Sequence, residues 1–244
     1  MTVPRIFDPH AVALHRARAQ RIGGDTFLAR DAEESIVLRL AATNRRFEKV
    51  LALDALGEDE IVPAGEYDLV VSRLALHWVN DLPGVLTQIR RVLKPDGLFL
   101  GALFGGETLR ELRAAFAGAE IETTGGVSPR VAPFADVRDL GGLLQRAGFA
   151  LPVADVERTT VNFQGFFKLV QDLRAHGETN ALAERSKRPL ARATLAALAA
   201  LYEPVVATFD IVYLTGWAPH ESQQKPLKPG SAKMRLSEAL SKPR

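Results

Sequence analysis

The sequence predicts an α/β fold built on an open, mostly parallel sheet, and three stretches between Tyr67 and Phe104 carry that prediction. Asp68 to Ser72 (Asp-Leu-Val-Val-Ser) is a short buried-strand run, Asn80 to Lys94 is an amphipathic helix closed by Pro95-Asp96-Gly97, and Leu98 to Phe104 is a second buried strand. Apolar strands flanking one helix fit a parallel pair joined by a crossover, because parallel neighbours cannot be linked by a tight turn. In the helix, Leu82, Val85, Leu86, Ile89, Val92 and Leu93 recur at helical spacing. Gln88, Arg90, Arg91 and Lys94 fall on the other face, so the helix is expected to lie on the sheet with its basic side in water.

The remaining elements follow in order. His10 to Arg21 reads as a basic helix ending at Gly23-Gly24, and Asp25-Thr26 is placed to cap a second helix reaching Asn44. The arginines of residues 1–21 superficially suggest a transit peptide, but Asp8 interrupts them and no serine-rich stretch follows, so the segment is read as a first helix. Lys49 to Asp54 is a candidate strand, followed by the polar turn Gly57-Glu-Asp-Glu60. After Gly105-Gly106, Glu107 to Ala117 is helical and forms a lid at the carboxyl edge of the sheet, where open α/β folds bind ligands. Thr123 to Pro133 is an irregular loop rich in glycine and proline, of the length that is usually functional or mobile. Asp136 to Ala147 is a helix, Leu151 to Phe163 a strand, Gln164 to His176 and Leu190 to Tyr202 are helices, and Val206 to Trp217 is the last strand. The division expected is a helical cover over 1–46, an α/β domain over 47–219 with a helical insertion at 164–203, and a loosely ordered tail over 220–244.

Composition sets bounds. At 244 residues, 47% hydrophobic, the chain is long enough for one sizeable core. Lys and Arg number 31 against 29 Asp and Glu, a net charge of +2, so no nucleic-acid partner is implied. With no cysteine there is no disulfide, thiolate zinc site or thiol nucleophile. No run approaches the length needed to span a bilayer, and a cytoplasmic location is expected.

Several residues are candidates for chemistry. His77-Trp78, at the carboxyl end of a buried strand, sits where a ligand meets such a sheet; packing of Trp78 and a backbone hydrogen bond from His77 are the bland alternative. Asp54 ends the first strand and has the chemistry to accept a ribose hydroxyl, or simply to make a turn. His220-Glu221-Ser222 offers a base, a carboxylate and a hydroxyl in sequence. Arg110, Arg113 and Arg130 near the lid are placed to steer an acidic substrate or a protein partner, although lone arginines are more often a solvated face. The scattered histidines show no metal-ligand spacing, so no metal site is expected.

Six segments together resemble one family. They are Glu66-Tyr-Asp-Leu-Val-Val-Ser, Leu76-His-Trp-Val-Asn-Asp-Leu-Pro, Leu93-Lys-Pro-Asp-Gly, Gly105-Gly-Glu-Thr-Leu-Arg-Glu-Leu-Arg, Gly141-Gly-Leu-Leu-Gln-Arg-Ala-Gly-Phe and Gly216-Trp-Ala-Pro-His-Glu-Ser-Gln. The chain resembles the bacterial form of the methyltransferase-like assembly factor of respiratory complex I, an arginine hydroxylase related to the malonyl-carrier-protein methyltransferases of biotin synthesis. The resemblance implies a Rossmann-like class I sheet, S-adenosylmethionine as cofactor, and a complex I subunit as protein client. If the chain keeps chemistry, the candidates are Asp54 for the ribose edge, Leu74 to Trp78 for the adenine and acceptor wall, and His77 or His220 as acceptor-side polar groups.

The departure from the family lies at Lys49 to Glu66, which has room for one strand and a turn. The Leu-Gly-Cys-Gly type of turn, its helix and further elements are absent, so the sheet is truncated in its first half and exposes an edge open to self-association. Two readings follow: an enzyme that compensates for the lost loop, or a non-catalytic relative that binds a client protein during assembly.

Overall fold

A computed structural model describes residues 4–23 and 26–224. Five strands form one sheet: β1 (Val50–Ala52), β2 (Tyr67–Arg73), β3 (Leu93–Phe104), β4 (Ala150–Asn162) and β5 (Val206–Trp217), in the spatial order β1-β2-β3-β5-β4. The first three are parallel, with Val50 opposite Leu69 and Val71 opposite Leu100, whereas β5 runs antiparallel to both β3 and β4. The crossover between β2 and β3 is helix α3 (Leu82–Val92), as its periodicity predicts. Asp81 caps it through the Gly84 amide, and Val85, Leu86 and Ile89 are wholly buried on the sheet. Each such side chain contributes about 1.5–3 kcal/mol by leaving water. Gln88, expected on the solvent face, instead bonds Val62 N and Glu60 O and pins the segment between β1 and β2.

Both faces of the sheet are covered. On the α3 side, α5 (Val137–Arg146) contributes Leu140 and Leu144 to one core. The opposite face carries α2 (Phe27–Ala42), α4 (Arg110–Thr124), α6 (Phe166–His176) and α7 (Arg192–Leu201), whose buried residues surround Phe104, Phe209 and Tyr213. The helices α6 and α7 fall between β4 and β5, the position of the anticipated insertion. Helix α1 (Pro9–Ile22) packs on α6, and Asp8 caps it by accepting from the amides of His10 and Ala11. The aspartate that breaks the transit-peptide pattern is therefore a helix-starting residue.

Most boundaries shift by one or two residues, and the larger departures have a physical reason. Pro95-Asp96-Gly97 is not a free turn but part of β3, which starts at Leu93. Asp96 takes a left-handed φ of 62°, the pairing with β2 shifts register, and the Asp96 amide reaches Ala218 O. The turn signal survives as a bulge: Tyr67 pairs with Leu93 and Leu69 with Leu98, so Lys94 to Gly97 have no paired residue on β2, and the Ala218 backbone holds them from the other side. Helix α4 starts at Arg110 rather than Glu107 and runs to Thr124, absorbing two residues expected in the loop. The hydroxyls of Thr123 and Thr124 bond back to Ala119 O and Glu120 O, so polar residues that read as loop extend the helix until Gly125, at φ 72°. Thr26 precedes α2 without a side-chain cap bond, and its predicted partner Asp25 lies outside the described residues, as does the tail from 225 onward.

Candidate functional site

The carboxyl ends of β1, β2 and β3 converge on a short crossing. After β2, Leu74 adopts a left-handed φ of 46° and donates its amide to Ala102 O, which swings the chain into a single 3₁₀ turn, Leu76–Trp78. His77 is therefore not at the strand end itself but one turn beyond it, with its ring against Phe104. Trp78 packs edge-on to Phe7, 5.3 Å between centroids. Both side chains are tied to one carboxylate from far along the chain: His77 Nε2 lies 2.9 Å and Trp78 Nε1 3.0 Å from Glu178 Oε2. His77 Nδ1 is buried with no partner among the described residues.

Glu178 is delivered there by the end of α6. Gly177 takes φ 78°, a conformation costly for any residue with a Cβ, and the Glu178 amide returns to Leu173 O. The next residues are held from two sides: His15 Nδ1 meets Thr179 O, Arg18 donates to Thr179 Oγ1, and Asn180 donates to Pro129 O. Glu178 was not among the sequence candidates. The signal that marks it is a glycine helix stop followed at once by an acidic residue.

On one side of Glu178 and Trp78 lies a cavity of about 210 Å³ between α4, α6 and the loop after Gly125, walled mainly by Phe104, Phe116, Phe134, Phe166 and Phe209. Arg130 also lines it, but its guanidinium is bound to Glu120 through Nε at 2.7 Å and Nη2 at 2.5 Å. Arg110 is likewise paired with Glu107 and Glu111, and Arg113 donates to Ala132 O. Of the two readings of these arginines, Arg110 fits the solvated face, half-exposed with its partner Glu107, while Arg113 and Arg130 are tied to the protein itself, Arg130 through a carboxylate.

On the other side open two clefts. One, of about 450 Å³, is bordered by Asp54, Arg73, Leu74, His176 and Glu178; the other, about 360 Å³, by Ala55 to Gly57, Glu58, Glu60, Trp78 and Val79. Arg16 of α1 lines both. Burial pulls its guanidinium below the ordinary arginine range, against the fields of Glu178 and Asp54.

These clefts are where a nucleotide-type cofactor would rest, and the residues present do not fit S-adenosylmethionine. A Cβ added at Gly57 would meet no protein atom within 4 Å, so packing within the chain does not require glycine there. Both Asp54 oxygens are engaged by Arg73, at 3.0 and 2.5 Å, and both Glu60 oxygens accept the amides of Asn80 and Asp81. Glu58, Asp59 and Glu60 make the turn after β1 acidic, which disfavours a ligand carboxylate beside it. No set of three or more potential metal ligands occurs among the described residues.

Of the sequence candidates, the structure brings His77 and Trp78 onto one carboxylate and Asp54 and Leu74 onto one cleft. It separates His220. That residue follows Ala218, which pairs with Gly97, and Gln223 beside it bonds Asp96, so it lies at the amino end of β3. At about 3.3 Å per strand residue this is roughly 20 Å from the Phe104 end. His220 is exposed, with Nδ1 2.7 Å from Ser222 Oγ.

Sheet order, crossover and a ligand-facing carboxyl edge define a class I methyltransferase-type fold truncated in its first half. A methyltransferase-domain model matches residues 7–152, and the chain belongs to that family. Among characterised relatives, the mitochondrial arginine-hydroxylase NDUFAF5 of Danio rerio is 42% identical over 233 residues, covering 88% of this chain and 72% of that protein. The Homo sapiens protein of the same name is 45% identical over 208 residues, covering 81% of this chain and 60% of its own length. The malonyl-[acyl-carrier protein] O-methyltransferase of Laribacter hongkongensis (strain HLHK9) is 36% identical over 193 residues, covering 76% of this chain and 63% of that protein. No helix among the described residues is long and apolar enough to cross a membrane.

Proposed function

We propose that this protein acts on an arginine side chain of a client protein during assembly of a respiratory complex, with the aromatic cavity between α4 and α6 as its acceptor site. The observation that carries the reading is a cavity at the carboxyl edge of the sheet that is apolar on most sides and contains the buried carboxylate of Glu178. The name arginine-hydroxylase borne by relatives at 42–45% identity supports the choice of acceptor. We assign His77 and Trp78 to the acceptor wall and Leu74 and Asp54 to the rim of the cofactor-side clefts, with His220 outside both. Action in the cytoplasm and self-association through the edge of β1 belong to the same proposal. Fractionation checks the first, and light scattering of the purified chain the second.

A second reading, client binding without chemistry, is favoured by one observation: the turn after β1 is acidic through Glu58, Asp59 and Glu60, and both oxygens of Asp54 at its start are taken by Arg73. No step of the proposed chemistry is routed through that cofactor. Titration with S-adenosylmethionine or S-adenosylhomocysteine separates the two readings, because a ligand bound only by the folded state must raise its melting temperature. Micromolar binding supports the enzyme. A flat response to millimolar ligand, with an arginine-bearing client still captured, supports the binding protein. Failure of an arginine-bearing client to bind at all would refute both.

A further inference from the structure

Granted an arginine acceptor, the cavity holds one group able to tell a charged side chain from a neutral one of the same shape. The Glu178 side chain is 11% exposed. Its Oε2 is fixed by two N–H donors from adjacent residues, while its Oε1 accepts no hydrogen bond among the described residues. Arg130, the other charged group in the wall, is already matched to Glu120. Arg16 faces Glu178 from the cofactor side and His15 also feels its field, but neither bonds it directly. Oε1 keeps access to solvent, so a donor entering the cavity can reach an unpartnered carboxylate oxygen and make a charge-assisted bond there.

We infer that Glu178 is the residue that reads the positive charge of the entering side chain, its Oε1 accepting a guanidinium N–H. His77 and Trp78 are positioning residues: they sit next to each other in one 3₁₀ turn and grip the same oxygen, which restrains the carboxylate where it lines the cavity and leaves the other oxygen free to accept. Guanidinium suits this wall better than an ammonium group, being planar, weakly hydrated and able to lie on the faces of Phe104 or Phe134. The chemical class selected is therefore a protein arginine, discriminated against its neutral isostere citrulline and against lysine.

The test is calorimetry on the full chain with Nα-acetyl-arginine amide and Nα-acetyl-citrulline amide as probes. A charge-assisted hydrogen bond predicts a preference for arginine of about ten- to a hundredfold. In Glu178→Gln that preference is expected to fall below about threefold, with citrulline affinity unchanged within about twofold. Trp78→Phe keeps the ring and removes one N–H, so it is expected to lower the preference by about three- to tenfold. A purely structural role would weaken both probes equally, so the ratio is the readout, and Trp78→Phe carries the test if Glu178→Gln fails to fold. Undiminished preference in either variant, or a wild-type protein that binds both probes alike, overturns the role of Glu178 while leaving the arginine acceptor standing. A wild-type protein that binds neither probe overturns the acceptor reading as well.

Discussion

The roof of the aromatic cavity rests on one buried carboxylate, and replacing it is the sharpest stability experiment available. Glu120, on the inner side of α4, accepts from Arg130 Nε and Nη2 and, through its other oxygen, from Ser128 N at 2.6 Å. These bonds fix the segment from Gly125 to Phe134 over the cavity. The Glu120 side chain is 4% exposed and that of Arg130 20%. Removing one partner of a fully buried pair costs about 3–5 kcal/mol, and partial access of water to Arg130 reduces this to about 2–3 kcal/mol. For a chain of this size, each 1 kcal/mol moves the melting temperature by about 2–4 °C, so Glu120→Gln is expected to melt about 4–12 °C lower. Urea unfolding gives the free energy. Limited trypsin digestion reports the loop, since the Arg130–Val131 bond becomes cleavable once Arg130 is released. A variant within about 0.5 kcal/mol of wild type, with that bond still resistant, would show that the loop is held by something other than Glu120.

Three further outcomes follow from packing and titration. Glu111 accepts from the Thr208 hydroxyl and amide; burial pushes its carboxyl up, but these bonds and Arg110 prevail and hold it below the usual carboxylate range. The unfolded chain therefore binds this proton more readily. The stability it contributes is complete above about pH 4.5 and is lost as pH falls through the lower folded value, so urea midpoints of Glu111→Gln should decline less steeply toward acid than those of wild type. Burial pushes the Tyr202 hydroxyl up, and it donates to Val206 O at 2.5 Å. Stability is then lost as pH rises above about 10, where only the unfolded chain ionises; Tyr202→Phe should cost about 1 kcal/mol at neutral pH and flatten that alkaline limb in a thermal scan. At Gly216 in β5 an added methyl would sit 2.8 Å from the Phe149 ring, so Gly216→Ala is expected to lose about 1–3 kcal/mol in denaturant titration, and Phe149→Leu in the same chain to restore part of it.

What the chain determines by itself is whatever depends on neighbours in sequence. The parallel unit of β2, α3 and β3 is legible because Val85, Leu86 and Ile89 repeat at helical spacing between two apolar runs, and the truncation of the sheet is legible because Lys49 to Glu66 holds too few residues for a cradle and a helix. The tertiary structure decides which side chains meet. Glu178 joins His77 and Trp78 across 101 and 100 residues, Glu120 neutralises Arg130, for which the sequence left both a steering role and a solvated face open, and His220, three residues beyond the last strand, is carried to the far end of the sheet by the antiparallel course of β5. Periodicity reports which face of an element is buried, but a carboxylate's partner is set by chain path and by desolvation at the point of contact, and neither has a local signature.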